Sequence, residues 1–124
     1  VCLESQGEKS VADTLQRLGV EFDREFKLPD CRNINPLPFD FVVWGDDGFP
    51  RFIEYQGEQH YRTTARQNKE QLKAVQARDA IKATFCRRLT IPLLQIPYWD
   101  KSRVPGLVEN FVRPMNTDAM AAAV

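Results

Sequence analysis

Histidine occurs once, at position 60, and cysteine three times, at Cys2, Cys31 and Cys86, with no CxxC pair among them. An odd, unclustered set of cysteines offers no disulfide framework and suits a reducing, cytosolic setting. Together with His60 these residues lack the spacing of a zinc site, so Cys31 and Cys86 read as small buried hydrophobes. No apolar run reaches the ~20 residues of a membrane span, and no signal-peptide pattern opens the chain. The sequence starts at Val1, not Met, as a processed chain or a piece of a longer one would. Neither a repeat nor a composition break marks a second domain within 124 residues. Net charge is absent as well, since 17 acidic side chains balance 17 basic ones. That excludes a uniformly basic coat for nucleic acid, but it hides an asymmetry. Residues 1–61 hold twelve Asp/Glu against six Lys/Arg, and residues 62–124 hold five against eleven. Such a division suits a carboxylate-rich site beside a phosphate-tracking surface, although on charge alone a solvated basic helix is the plainer reading.

What is present centres on one ribbon. Pro38-Phe39-Asp40-Phe41-Val42-Val43-Trp44 runs into Asp46-Asp47-Gly48 and returns as Arg51-Phe52-Ile53-Glu54-Tyr55-Gln56. Two aromatic-rich runs around an Asp-Gly turn predict a hairpin. Pairing symmetric about Asp47 sets Asp40 across from Glu54, with Gln56 on the same face. Opposed like charges destabilise a sheet unless a proton or a cation sits between them. Two hard oxygen ligands beside an amide suit Mg²⁺ or Mn²⁺ better than zinc.

The remaining elements fall around this hairpin. Ser5 and Glu8 form a capping box that opens a helix carrying Val11, Leu15 and Leu18, which Gly19 ends. A first strand spans Glu21–Phe26, and the proline-bearing stretch Leu28–Pro38 reads as a loop. Phe39, Phe41, Val43, Ile53 and Tyr55 are assigned one buried face, and Val42 and Phe52 the face of the acidic pair. A helix is predicted from about Thr64 to Arg87, with Ala74, Ala77, Ile81 and Phe85 as its apolar stripe, helped by Leu72 and Val75. Thr90–Tyr98 reads as a buried strand reached by a parallel crossover, and Pro105–Val112 as a short final helix. The domain is placed at 1–113, with 114–124 as an alanine-rich tail of open order.

In this order the pieces resemble the PD-(D/E)XK nuclease core. More narrowly they resemble its very-short-patch-repair-like and phage homing-endonuclease branch, the EDxHD group. The text that carries the resemblance is Ser5-Gln6-Gly7-Glu8, Phe39-Asp40-Phe41, Ile53-Glu54-Tyr55-Gln56-Gly57-Glu58-Gln59-His60-Tyr61, and Arg78-Asp79-Ala80-Ile81-Lys82-Ala83-Thr84-Phe85-Cys86 followed by Ile91–Tyr98. The resemblance implies an α/β restriction-endonuclease-like core: helix, three-strand antiparallel meander, crossover helix and parallel strand, with a short C-terminal helix. It implies a divalent-metal-dependent DNA endonuclease, bacterial or phage-encoded, acting in the host cytoplasm. Two copies would meet the needs of double-strand cutting. It also implies an active-site set of Glu8, Asp40, His60 and Asp79, with Glu54 and Gln56 at the ends of the D/E-x-K position. Gln56 departs from the lysine common there. Lys82 on the crossover helix is the candidate to supply that cation.

Elementary chemistry supplies roles for these residues. Asp40, Glu54 and the Tyr55 carbonyl would ligate Mg²⁺ or Mn²⁺, and Glu8 would do so directly or through water. His60 could take a proton from the attacking water, a contribution of ~10²–10⁴ in rate when well placed. A lone histidine after a strand is otherwise a loop hydrogen-bonder. Asp79 reads on its own as an exposed helical partner of Lys82 or Lys73, and the resemblance implies instead a residue that orients His60. Arg62, Arg66, Lys69, Lys73, Arg87 and Arg88 form the expected phosphate-tracking set. Tyr61 and Trp99 could stack on bases, with core packing the plainer fate of Trp99. Two alternatives remain: a DNA-binding module on the same fold without the chemistry, and an acidic-pair glycosidase. Carboxylates opposed on one hairpin sit too close for an inverting mechanism of the second kind.

Overall fold

Helix α1 (Gln6–Leu18) opens on the predicted capping box: Ser5 Oγ accepts from the Glu8 N–H, and the Glu8 side chain accepts from the Ser5 N–H. It ends at Gly19, whose φ of 70° gives the left-handed cap that glycine adopts without strain. The computed structural model describes residues 5–122, with side chains as far as Arg113. Cys2 therefore lies outside the described residues.

Four strands follow, β1 (Phe22–Arg32), β2 (Pro36–Trp44), β3 (Pro50–Gln56) and β4 (Leu93–Pro97), ordered β1-β2-β3-β4 in one mixed sheet. Helix α2 (Lys69–Arg88) connects β3 to β4, and α3 (Val104–Ala122) closes the chain. The β2–β3 register runs Phe41↔Ile53, Val42↔Phe52, Val43↔Arg51, Trp44↔Pro50, which is the symmetry about Asp47 predicted from the turn. Gly48 takes φ 82° in that turn, and the Asp47 carboxylate accepts from the Phe49 N–H. β3 and β4 are parallel, with Glu54 beside Gln95 and Gln56 beside Pro97. The molecule is α/β, with helices on both sheet faces. Valines 11, 104, 108 and 112 with Leu15 cover Phe41, Val43, Ile53 and Tyr55 from the α1/α3 side, while Cys86 and Phe85 of α2 pack near Phe39, Val42 and Phe52 on the other. No helix among the described residues is long and apolar enough to cross a membrane.

Five expectations need correction. The proline-bearing loop is largely strand: β1 continues to Arg32 and β2 begins at Pro36. Proline is tolerated there because β1 is an edge, and β2 has β3 beside it only from Phe41 onward. Phe39 faces α2, not α1, and stacks on Phe52 at 4.0 Å between ring centroids. Its switch of face occurs at Asp40, level with Glu25, whose φ of 52° breaks the alternation in the neighbouring strand. Helix α2 starts at Lys69, where Asn68 and Gln71 form a second capping box, so residues 64–67 form a separate turn. Its inward line is Leu72, Val75, Asp79, Lys82 and Cys86, whereas Ala74 and Ala77 face solvent. Finally, α3 does not stop at Val112. It continues through the alanine-rich segment to Ala122, in keeping with alanine's helix propensity.

Candidate active site

The two carboxylates on the hairpin meet at the C-terminal half of β3. Continuing the register one step beyond Phe41↔Ile53 sets Asp40 opposite Glu54. Asp40 Oδ2 accepts from the Tyr55 N–H at 2.9 Å, so a side chain takes the place of a ladder carbonyl. In extended backbone a residue's N–H and C=O point to the same edge, so the Tyr55 carbonyl also faces the Asp40 side. Glu54 is only 3% exposed. Its Oε2 accepts from Lys82 Nζ at 2.5 Å, and its Oε1 is buried with no hydrogen-bond partner among the described residues.

Electrostatics mark the same spot. Burial pushes the Asp40 carboxyl up to about 7, helped by the neighbouring charge of Glu54 and more weakly by Glu8, while the Tyr55 N–H and Lys82 pull it down. Burial also raises Glu54 above the usual carboxylate range, opposed chiefly by Lys82. An orphaned buried carboxylate oxygen beside a second carboxyl held near neutrality is a donor set that fits a hard divalent cation.

Each predicted residue can be located relative to that pair. Lys82 is 9% exposed and reaches Glu54 from α2, with its Nζ 5.5 Å from the centre of the Phe39 ring. Gln56, buried at the next same-face position, carries no charge into the site. Its Oε1 accepts from the Tyr61 hydroxyl at 2.6 Å. His60 closes a 3₁₀ turn (Glu58–His60) that α2 and the turn before it hold in place. Gln76 donates to the His60 carbonyl at 3.3 Å and Gln67 to the Gln59 carbonyl at 2.6 Å. His60 Nδ1 donates to Asp79 Oδ2 at 2.7 Å, an arrangement that leaves Nε2 of the neutral ring free to accept a proton. Asp79 thus orients His60 and does not pair with Lys73 or Lys82.

Glu8 lies at the margin. A Cβ at Gly7 would fall 2.1 Å from the Tyr55 ring, so glycine is what lets the first turn of α1 rest on that ring. The turn carries Glu8 close enough to raise Asp40, but its carboxylate caps Ser5 and lies 4.0 Å from Arg24. Among the described residues no three His, Cys, Asp or Glu side chains converge in a metal-binding group. In this arrangement the Glu8 carboxylate is engaged by the helix cap and sits near Arg24, while Asp40 feels the charge of Glu54 more strongly than that of Glu8.

The basic set divides in two. Arg62 pairs with Glu58 at 3.0 Å and donates to the Tyr98 hydroxyl, and Arg66, Lys69 and Lys73 are exposed, the two lysines in the N-terminal half of α2. Arg87 and Arg88 sit at the other end of α2, about 21 Å from Lys73 along the axis at 1.5 Å per residue. Burial raises the thiols of Cys31 and Cys86, the latter to about 12, so neither of these two is poised as a ligand or nucleophile. The Gln56–Tyr61 bond was not legible in the sequence, because nothing in the spacing of residues 56 and 61 requires the intervening 3₁₀ turn.

No family model and no solved structure matches the chain. A curated relative, Uncharacterized protein 307L of Invertebrate iridescent virus 6, is 32% identical over 65 residues. That stretch covers 51% of this chain and 32% of the viral protein, so the match spans about a third of the relative's length.

Proposed function

We propose that this chain is a divalent-metal-dependent DNA endonuclease built on a restriction-endonuclease-like core of the PD-(D/E)XK type, in its EDxHD branch. The observation that carries the reading is Glu54: a buried carboxylate with one oxygen on Lys82 and the other without a partner, beside Asp40 and facing the His60–Asp79 side of α2. Phosphodiester hydrolysis calls for three things in one place: a cation site, a proton acceptor and charge relief at phosphorus.

Asp40, Glu54 and the Tyr55 carbonyl would hold Mg²⁺ or Mn²⁺, which supplies a Lewis acid at the scissile phosphate. His60 Nε2 accepts the proton of the attacking water, and Asp79 fixes the ring and stabilises the imidazolium that results. Lys82 carries the positive charge that Gln56 lacks. Its helical position supports the view that the lysine function has moved from β3 to α2. Arg62, Arg66, Lys69 and Lys73 bind backbone phosphates. One site per chain nicks one strand, so double-strand cutting would take two copies.

Supercoiled DNA incubated with the protein and Mg²⁺ or Mn²⁺ tests the proposal. Conversion to open circles should require the metal and vanish in Glu54→Ala. Metal-dependent nicking that survives this substitution would defeat the assignment. DNA binding with no cleavage in either metal would favour the non-catalytic module.

A further inference from the structure

Three aromatic rings gather at the same end of the sheet, with Tyr98 packed against the α1/α3-side core and Tyr61 and Trp99 outside both cores. Tyr98 and Trp99 follow immediately after Pro97, the residue that pairs with Gln56 across β3 and β4. Tyr61 follows His60. The Tyr61 and Trp99 centroids are 4.7 Å apart, Tyr98 and Trp99 5.4 Å, and Tyr61 and Tyr98 5.9 Å. The guanidinium of Arg62 lies 5.8 Å from the Tyr98 ring centre. Core aromatics Phe39, Phe41 and Phe52 are fully buried, yet Trp99 is 62% exposed and Tyr61 36% exposed. Two large rings thus keep solvent-exposed surface while a third ring and, for Tyr61, a hydrogen bond to buried Gln56 hold them in place.

We infer that Tyr61 and Trp99 form a stacking ledge for an unpaired DNA base, which would direct the site toward single-stranded segments of its substrate. This inference rests on the endonuclease reading and adds a substrate class to it. Three features favour a nucleobase as occupant. A base offers a flat π face, which an exposed indole matches whatever the sequence. Arg62 lies against the Tyr98 ring, and exposed Lys69 and Lys73 share a helix face with Gln76, which donates to the His60 carbonyl, so cations for the flanking phosphates stand near the rings. The Tyr61 hydroxyl is anchored on Gln56, which ties the ledge to the strand that bears Glu54. In a closed duplex each base is already stacked on both faces, so the ledge gains a partner only where the strand is open. Gln56 then acts as a positioning residue, its amide oxygen holding the Tyr61 hydroxyl.

The test is binding, not cleavage. Full-length protein in Ca²⁺, a metal that holds such complexes without turnover, is titrated against a fluorescent 20-nucleotide single strand. Parallel titrations use the same strand with abasic sites and the same sequence as a closed duplex. Trp99→Ala should weaken single-strand binding by about 5- to 150-fold, the range for losing one base–aromatic stack. Trp99→Phe should retain most of the affinity. Abasic substitution should weaken wild type but add little to Trp99→Ala, and duplex affinity should change less than about twofold. The same titrations repeated in EDTA should show the same Trp99→Ala loss, which separates failure of the ledge from failure of the metal-dependent nuclease assignment. Unchanged single-strand affinity in Trp99→Ala, or an equal loss on duplex and abasic strands, would overturn the inference. So would an absence of any DNA binding.

Discussion

Asp40→Asn should remove a pH dependence of stability that the wild type carries because this carboxyl titrates near 7 when folded and near 3.8 when unfolded. The raised value means that the native state keeps a proton the unfolded chain has already released. The associated stability is present in full below pH 3.8 and is lost as pH rises through 7. A separation of about three units at 1.36 kcal/mol each gives about 4 kcal/mol in all, of which about 3 kcal/mol falls between pH 5 and 8. Asparagine keeps an oxygen for the Tyr55 N–H, so the ladder contact survives while the titration does not. Glu54 is raised in the same direction and remains in both proteins, so the comparison reads Asp40 together with its coupling to Glu54. Urea unfolding in EDTA at pH 5, 6, 7 and 8 measures the difference. Wild type should lose about 3 kcal/mol relative to the variant across that range. Mg²⁺ favours the ionised carboxylates, so at pH 8 it should restore much of the loss in wild type and less in Asp40→Asn. Parallel pH profiles for the two proteins would refute the reasoning.

Two further substitutions test the frame around the site. Lys82→Met leaves Glu54 buried without its cation and should cost about 3–5 kcal/mol, whereas adding Glu54→Gln should recover part of that loss in a urea-melt cycle. Gly7→Ala should destabilise by about 1–3 kcal/mol despite alanine's better helix propensity, because the new methyl meets the Tyr55 ring; a thermal melt decides the sign.

The residues that were legible in advance are those whose position follows from local rules. The turn at Asp46-Asp47-Gly48 determined the register, and the register brought Asp40 and Glu54 together. Ser5, Glu8 and Gly19 announced both ends of α1. Helix α2 was harder because its inward line mixes Leu72, Val75 and Cys86 with Asp79 and Lys82. A pattern that assigns polar residues to solvent rotates such a helix the wrong way, onto Ala74 and Ala77. Lys82 and Asp79 face inward because Glu54 and His60 receive them, a tertiary pairing invisible to periodicity. The face of Phe39 was misassigned for a related reason. Strict alternation holds only while the backbone stays extended, and Glu25 at positive φ interrupts it next to Asp40. The Tyr61–Gln56 bond and the aromatic ledge depend on a 3₁₀ turn and on the parallel pairing of β3 with β4. Each joins segments whose meeting no local spacing reports.

If Asp40 and Glu54 share a divalent cation, Mn²⁺ binding followed by electron paramagnetic resonance measures it without any substrate. Wild type at pH 8 should bind Mn²⁺ at the hairpin, and binding should weaken at pH 6 as Asp40 takes up its proton. Asp40→Asn and Glu54→Ala should each abolish it. Mn²⁺ binding that is equal in all three proteins, or that does not respond to pH between 6 and 8, would contradict the account.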